Sequence, residues 1–234
     1  MPLLVLRPQP GHDATAAAAR DLGIEVISAP LFTIEPVAWD APPPHSVDAL
    51  LIGSANAIRH AGPALAAYAG KPVHAVGEST AQAARAAGFA VTSVGTGGLQ
   101  RVLEGITGGR LLRLAGEERL ALTPPSGVSV TDRVVYAARP LPMRDEVANI
   151  IRAQPPGSLV AALHSAAAAS HLGREMTRLD LPRGNVQLLA LGPRIAAAAG
   201  EGWAAIHTCP APDERSLLAL AAQLCHTPPP CGRD

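Results

Sequence analysis

The sequence predicts an α/β protein in which short parallel strands alternate with alanine-rich helices. Short apolar runs such as residues 3–6, 49–53 and 159–164 recur along the chain, and each is followed by a helical stretch. Strands that alternate with helices of this length need crossover connections, and therefore parallel sheets covered on both faces. The almost continuous apolar character of the runs is typical of strands that are buried on both sides.

The elements can be assigned in order along the chain. The helix at residues 12–23 has Asp13 near its start and Gly23 at its end, which are typical start and stop residues. Strands are predicted at residues 3–6, 24–29, 49–53, 73–77, 90–94, 110–115, 130–136, 159–164, 186–192 and 204–208. Helices are predicted at residues 12–23, 54–68, 78–87, 98–106, 144–153, 165–178, 193–199 and 214–225.

An internal repeat groups these elements into two similar sets. The segments 49–62 and 159–173 both read as a strand, a small polar residue and a helix, and each is followed by a strand that ends in glycine. The upstream segments 3–36 and 110–142 also correspond to each other. The sequence therefore predicts two α/β units, each with its own parallel sheet.

The pattern leaves two ways of dividing the chain into these units. Either they are sequential halves, or the first two strands join the last three and the middle of the chain forms its own domain. In the second arrangement the proline-flanked segments 30–36 and 136–142 are adjacent connectors, since both suit extended backbone. The proline-rich tail, residues 227–234, is expected to be disordered.

Composition argues against several classes of function. The 234 residues carry 19 basic and 19 acidic side chains, so no excess of positive charge indicates a nucleic-acid partner. No apolar run approaches the ~20 residues of a membrane helix and the N-terminus lacks signal-peptide features, so we expect a cytoplasmic protein. Cys209, Cys225 and Cys231 form no CxxC pair, and no His/Cys cluster has zinc spacing, so we expect no metal site.

Small polar residues follow several strands, and Ser54 is the first of them. The segment 52–56, Ile-Gly-Ser-Ala-Asn, has the context of a serine nucleophile but lacks the G-x-S-x-G sequence and evident Asp and His partners. Taken singly, Ser54, Ser79, Thr80 and Ser165 are typical helix caps. Taken together they favour an anion site, because ligands bind at the carboxyl ends of parallel strands, where helix N-termini attract negative charge.

Other candidate residues lie near the same strand ends. His164 is either a buried, hydrogen-bonded histidine or a ligand for a carboxylate. Tyr136 either packs between the domains or faces a cleft as a proton donor, a role that is open to tyrosine. Arginine suits planar recognition of carboxylates, although each arginine taken singly reads as solvated surface: Arg7, Arg59, Arg113, Arg139 and Arg194.

Segments spread over the whole chain resemble uroporphyrinogen-III synthase. They are LLVLRP, LIGSANAIR, VHAVGESTAQAARAAGF, LLRLAGEER, VVYAARP and LLALGPRIAAA, in the order and spacing of that family. The resemblance implies two doubly wound, flavodoxin-like domains of five strands each, joined by a two-stranded connector. It places residues 1–35 and 140–226 in one domain and residues 37–138 in the other, and so favours the split arrangement.

The resemblance also implies a monomeric, cofactor-independent carbon–oxygen lyase of haem biosynthesis. Such an enzyme cyclises hydroxymethylbilane, a linear tetrapyrrole with acetate and propionate side chains, to uroporphyrinogen III in a cleft between its domains. Water is lost and the last pyrrole ring is inverted. The implied partners are this polycarboxylate and, in transient contact, hydroxymethylbilane synthase.

Site residues can be carried over position by position. Tyr136 matches the tyrosine that aids departure of the hydroxyl group, and Ser54, Thr80 and Ser165 match hydroxyl groups that face the cleft. Together with the residues at the strand ends, the expected substrate-binding set is Arg7, Ser54, Ala55, Asn56, Gly77, Thr80, Arg113, His164, Ser165, Gly192 and Arg194.

The chain departs from the family pattern at its second repeat. The family sequence GPTTA is replaced by GPRIA at residues 192–196, which removes two hydroxyl groups and introduces Arg194. Gly53 likewise stands where the family often has a hydroxyl group. The changed GPTTA segment leaves an inactive paralogue of the synthase as an alternative, and the two-unit arrangement leaves a two-lobed module that binds a small molecule as another.

Overall fold

The structure is a computed structural model that describes residues 1–226, so the tail 227–234 lies outside the described residues. Its strands are Leu3–Val5 (β1), Val26–Ser28 (β2), Phe32–Pro36 (β3), Ala49–Ile52 (β4), Val73–Val76 (β5), Val91–Gly95 (β6), Gly109–Gly116 (β7), Val128–Pro140 (β8), Leu159–Leu163 (β9), Val186–Ala190 (β10) and Ala205–Thr208 (β11). Its α-helices are Gly11–Asp21 (α1), Ala55–His60 (α2), Glu78–Ala86 (α3), Leu99–Glu104 (α4), Asp145–Ala153 (α5), Ala166–Arg178 (α6), Pro193–Ala198 (α7) and Glu214–His226 (α8).

Every predicted helix and strand has a counterpart, with one helix divided in two. The helix predicted at 54–68 ends as α2 at His60, and a 3-10 helix follows at Pro63–Tyr68. Between them Gly62 adopts φ of 68°, a left-handed conformation that glycine tolerates and that an α-helix does not contain. Pro63 then starts the second segment, because proline fits the first helical position.

The chain divides into two compact units. Unit 1 comprises Met1–Thr33 together with the described residues from Pro140 onward, and unit 2 comprises Ile34–Arg139. Among the described residues, no helix has both the length and the apolar character needed to cross a membrane.

Unit 1 contains a five-stranded sheet in the order β11-β10-β9-β1-β2, in which every neighbouring pair is parallel. Numbered along the chain within the unit, this is the doubly wound order 2-1-3-4-5 read from the other edge. Alternate residues of β1 enter different cores: Leu4 packs in one apolar cluster, whereas Leu3 and Val5 pack in another. Burial on both faces explains why the strand sequence is almost continuously apolar.

Unit 2 repeats this order as a circular permutation. Its sheet runs β3-β8-β7-β4-β5-β6, and the pairs from β8 to β6 are parallel. Counting β7 and β8 as the first two strands again gives the order 2-1-3-4-5, so the predicted fold class is confirmed. The sixth strand, β3, lies beside β8 in the segment that the sequence indicates as a connector.

The doubly wound order fixes where each unit can bind a ligand. In open α/β sheets the ligand crevice lies outside the carboxyl ends of the strands, at the point where the strand order reverses. In unit 1 the order reverses between β1 and β9, and in unit 2 between β7 and β4. The residues that follow these four strands are therefore the first candidates for a functional site.

Replacement of Leu103 tests how the sheet of unit 2 packs on the face that α4 covers. Its side chain is 0% exposed and packs against Leu51 and Leu111. We expect Leu103→Ala to lower the free energy of unfolding by about 2–5 kcal/mol, because the variant loses buried contacts and leaves a cavity. Urea denaturation followed by circular dichroism measures the change.

Leu120 provides the matched control because its side chain is 77% exposed. Leu120→Ala is expected to change the free energy of unfolding by less than about 0.5 kcal/mol. Equal losses in the two variants would contradict the described packing of α4.

Candidate active site

A cleft of about 560 Å³ opens in unit 2 at the reversal of strand order. The carboxyl end of β4 contributes Gly53 and Ser54, the end of β7 contributes residues 113–116, and β8 contributes Tyr136. The loop at residues 118–123 and the start of α4 complete the wall. The cleft therefore lies where a doubly wound sheet is expected to bind its ligand.

Ser54 both caps a helix and lines this cleft. Its backbone is extended, and its hydroxyl oxygen accepts a hydrogen bond from the backbone N–H of Asn56 at 3.2 Å. Within the described residues, no histidine or carboxylate is hydrogen-bonded to Ser54, so nothing activates it as a nucleophile. The neighbouring Ala55 is buried, while Asn56 accepts a weak hydrogen bond of 3.4 Å from Arg59.

Ser165 occupies the equivalent turn of unit 1. It follows β9, its backbone is extended, and its hydroxyl oxygen accepts a hydrogen bond from the backbone N–H of Ala168 at 3.1 Å. The two copies of the sequence repeat thus form the same cap after equivalent strands. The side chain of Ser165 is exposed.

Arg113 is a buried cation in the wall of the unit 2 cleft, with only 5% of its surface exposed. Its Nη1 donates to the carbonyl oxygen of Leu120 at 2.9 Å and to the carboxylate of Asp132 at 3.3 Å. Its Nε is buried without a hydrogen-bond partner among the described residues. Burial lowers the pKa of the Arg113 guanidinium, and the charge of Asp132 opposes that effect.

Arg113 therefore has two consequences for the cleft. Its bond to the backbone of Leu120 fixes the loop that forms one wall. Its Nε–H is a donor without an acceptor in the part of the chain that the structure describes, which is costly in a buried position.

Tyr136 is half-buried in the same cleft. Its hydroxyl forms no hydrogen bond within the described part of the chain, although Tyr68, the other tyrosine, donates to the carbonyl oxygen of Pro42 at 2.6 Å. The ring of His60 lies 6.4 Å from the Tyr136 ring, centroid to centroid. Burial, together with the charge of Arg59, lowers the pKa of His60, so this neighbour is neutral at physiological pH.

Arg7 and His164 meet at the corresponding edge of unit 1, where they share a carboxylate that sequence reasoning missed. Glu214, in the first turn of α8, accepts a hydrogen bond from Arg7 Nη1 at 3.0 Å and is bonded to His164 Nε2 at 3.1 Å. The Thr15 hydroxyl also donates to Glu214 and accepts from Arg7 at 3.1 Å. Both expected binding residues are thus engaged within the unit.

The environment of Glu214 strongly favours its charged form. Burial alone raises the pKa of this carboxyl group. The hydrogen bonds from His164 and Thr15, together with the charges of His164 and Arg7, outweigh burial and lower the pKa to about 2.

The other expected site residues lie outside the lining of the unit 2 cleft. Gly77 precedes α3 with φ of 76°, and Thr80 in the first turn of that helix is only 3% exposed. Gly192 precedes α7, and the side chain of Arg194 is exposed with no carboxylate paired to it among the described residues. Within residues 1–226, no group of three or more His, Cys, Asp or Glu side chains is placed to hold a metal ion.

A match to a protein-family model shows which family this chain belongs to. The family model for uroporphyrinogen-III synthase HemD matches residues 13–219, which is most of the chain. The chain belongs to the uroporphyrinogen-III synthase family. This is an enzyme family of carbon–oxygen lyases that works in tetrapyrrole biosynthesis. No curated protein matches the sequence.

Solved structures of uroporphyrinogen-III synthases share the fold. The enzyme from Helicobacter pylori 26695 is 17% identical and aligns with a TM-score of 0.63 over 96% of this chain and 100% of its own. A mutant of the Thermus thermophilus enzyme is 18% identical and aligns with a TM-score of 0.52 over 96% of this chain and 98% of its own. At such low identity the likeness establishes the fold and not the individual site residues.

The contacts that Glu214 makes with Arg7, Thr15 and His164 are expected to stabilise the folded chain. We expect Glu214→Gln to lower the free energy of unfolding at pH 7 by about 1 kcal/mol, a modest value because the carboxylate is 38% exposed. Because the folded pKa of about 2 lies below the ordinary value of 4.5, the charged carboxylate stabilises the fold above pH 4.5. That stabilisation is lost as the pH falls towards 2, so the variant and the wild type should converge there.

Urea denaturation at several pH values measures this difference. Glu78→Gln is the control, since Glu78 is exposed and its one ion pair within residues 1–226 is with Arg85 of the same helix at 2.7 Å. A Glu214→Gln difference that is constant from pH 7 to pH 2 would show that the cluster does not stabilise the charged form.

Proposed function

We propose that this chain cyclises hydroxymethylbilane to uroporphyrinogen III, with loss of water and inversion of the last pyrrole ring, and that the reacting end of the substrate binds in the unit 2 cleft. Family membership supports the reaction. The observation that supports this location is Tyr136, a half-buried phenol in the cleft whose hydroxyl has no partner in the described part of the chain. A free proton donor in a partly enclosed cleft is what departure of a hydroxyl group requires.

The first chemical step in this proposal is loss of the terminal hydroxyl group. The electron-rich pyrrole pushes electron density towards its hydroxymethyl carbon, and the C–O bond breaks. Tyr136 gives its proton to the departing oxygen, which leaves as water. The products of the step are a conjugated cation on the substrate and a tyrosine phenolate.

Arg113 can stabilise that phenolate. The two side chains line the same cleft. A guanidinium that is fixed by Leu120 and Asp132 need not reorganise when negative charge develops nearby.

Carboxylate recognition is assigned to the donors at the strand ends. Hydroxyl groups, backbone amides at helix starts and arginines can all hold acetate and propionate groups without an overall positive charge. In unit 2 we assign this role to Ser54, Ala55, Asn56, Gly77, Thr80 and Arg113. In unit 1 we assign it to Ser165, Gly192 and Arg194, whereas Arg7 and His164, which Glu214 engages, stay predictions from the sequence.

Arg194 helps to decide whether the chain is an active synthase or an inactive paralogue. The replacement of GPTTA by GPRIA removes hydroxyl donors but adds an exposed guanidinium that no described carboxylate neutralises. A guanidinium donates several hydrogen bonds to a carboxylate in a fixed geometry. The exchange therefore keeps the capacity to bind an anion, which favours an active enzyme.

We further infer that the enzyme acts as a monomer in the cytoplasm and meets hydroxymethylbilane synthase transiently. Cys209 and Cys225 are free and buried, which fits a reducing compartment. Because hydroxymethylbilane also closes spontaneously, its direct transfer from one enzyme to the other is favoured.

Isomer analysis tests the proposed reaction. Purified protein mixed with freshly made hydroxymethylbilane is expected to form the type III isomer of uroporphyrinogen, separated from type I by chromatography after oxidation. The type I isomer forms without an enzyme. If type I alone accumulates at high protein concentration, the proposed activity is wrong.

Replacement of Tyr136 tests the role of its hydroxyl. We expect Tyr136→Phe to lower kcat by about 10- to 100-fold, at or below the low end of the range for acid catalysis, with the type III isomer still formed. Tyr68→Phe is the matched control, because it loses the bond to Pro42 and therefore about 1 kcal/mol of stability but keeps kcat. An unchanged kcat in Tyr136→Phe would remove Tyr136 from the mechanism.

A further inference from the structure

The ring of Tyr136 lies directly against the backbone of Gly116, at the end of β7. A β-carbon added at Gly116 would be 2.8 Å from Cζ of Tyr136, 2.9 Å from Cε2 and 3.0 Å from the hydroxyl oxygen. Real β-carbons essentially never lie as close to another atom as the first two distances, so part of the structure would have to move. The phenol therefore occupies the space that any other side chain would take at residue 116.

The requirement for glycine at this position is steric. Gly116 lies outside the left-handed region, in contrast to Gly109 at the start of the same strand, which has φ of 113°. Its backbone conformation is thus open to any residue, and the three atoms that would lie nearest to an added methyl group all belong to the Tyr136 side chain.

A β-bulge brings the two residues together. Ala115 pairs with Val134 and Gly116 pairs with Tyr136, so Val135 is an extra residue on β8. The Val135 side chain is fully buried in the unit 2 core, and the ladder resumes when Glu117 N donates to Tyr136 O at 3.0 Å. Bulges often re-aim a side chain next to an active site, and this one sets the Tyr136 ring against Gly116.

We propose that Gly116 is a positioning residue for Tyr136, and this inference rests on the proposed role of that tyrosine. The absence of a side chain at Gly116 lets the ring lie against β7 and fixes the place of the hydroxyl in the cleft. Gly116 itself contributes no group to the reaction. It acts only by leaving space.

Gly116→Ala should therefore displace the phenol and leave the carboxylate donors in place. The methyl group can be accommodated only when the tyrosine ring turns away. We expect kcat to fall by about 10- to 100-fold, since small misplacements of a reacting group have effects of this size. KM should stay within about twofold, because substrate binding in the ground state is not altered.

Gly108→Ala is the matched control. Gly108 directly precedes β7 at the end away from the cleft, and an added β-carbon there would lie 3.6 Å from the carbonyl oxygen of Gly127, an ordinary contact. It should leave kcat and KM unchanged; a loss equal to that of Gly116→Ala would overturn the inference.

A double-mutant cycle distinguishes positioning from a general structural effect. In the Tyr136→Phe background, the hydroxyl is already gone, so Gly116→Ala should lower kcat by less than about twofold more. If Gly116→Ala costs as much in that background as in the wild type, Gly116 acts independently of the Tyr136 hydroxyl and the inference is wrong.

A spectroscopic measurement tests the contact without any activity. The chain has two tyrosines, so labelling with 3-fluorotyrosine gives two 19F NMR signals, which Tyr68→Phe and Tyr136→Phe assign. Gly116→Ala should shift the Tyr136 signal and leave the Tyr68 signal in place. An unmoved Tyr136 signal overturns the inference even if the enzyme is active. A shifted signal in a chain that forms no type III isomer leaves the contact standing and refutes the proposed function instead.

A second variant covers the case in which Gly116→Ala does not fold. The three shortest contacts all involve the Tyr136 side chain beyond its β-carbon, so the pair Gly116→Ala with Tyr136→Ala is expected to recover the fold, measured by circular dichroism. Failure of this pair to fold, while Tyr136→Ala alone folds, would show that Gly116 is needed for another reason and would overturn the inference.

Discussion

The reversal of strand order between β7 and β4 is the constraint on which the unit 2 site depends. The two faces of this sheet are covered by different helices: Leu112 packs with residues of α2 and α3, whereas Leu111 packs with α4. Connections that leave towards opposite faces open a crevice at the carboxyl ends of these strands. The crevice is built by the path of the backbone, so it forms whichever side chains line it.

Arg113 gives that crevice a buried positive charge. It stands on the face that carries Leu111, where a cation is costly unless it is paired. Asp132 and the carbonyl oxygen of Leu120 satisfy only part of the guanidinium. The arrangement is stable enough to fix the loop above the cleft, and in the proposed mechanism it also favours a phenolate at Tyr136. In unit 1 the charge of the arginine near the strand ends is neutralised within the fold, because Arg7 pairs with the carboxylate of Glu214.

Much of this architecture could be predicted from the sequence because it follows from local patterns. Continuous apolar runs identify buried strands, and Ser54 and Ser165 identify helix starts, which the structure confirms as caps. The sites that the sequence did not indicate depend on contacts between distant residues. Glu214 is separated from Arg7 by 207 positions, and only the return of the chain to the first sheet brings them together. The bulge at Val135 and its effect on Tyr136 likewise depend on the register of two strands. The burial of Arg113 could have been predicted from the sequence. Arg113 lies two residues after Leu111 on the same strand, so the two side chains lie on the same face of the sheet.

The measurement that most directly tests proton donation by Tyr136 compares two leaving groups. A bilane that carries an acetoxymethyl group in place of the hydroxymethyl group releases acetate, which departs without first being protonated. If Tyr136 supplies the proton, Tyr136→Phe slows closure of hydroxymethylbilane but not closure of the acetoxymethyl analogue. The same loss of rate with both substrates would contradict this role and show that the phenol acts by binding or packing instead.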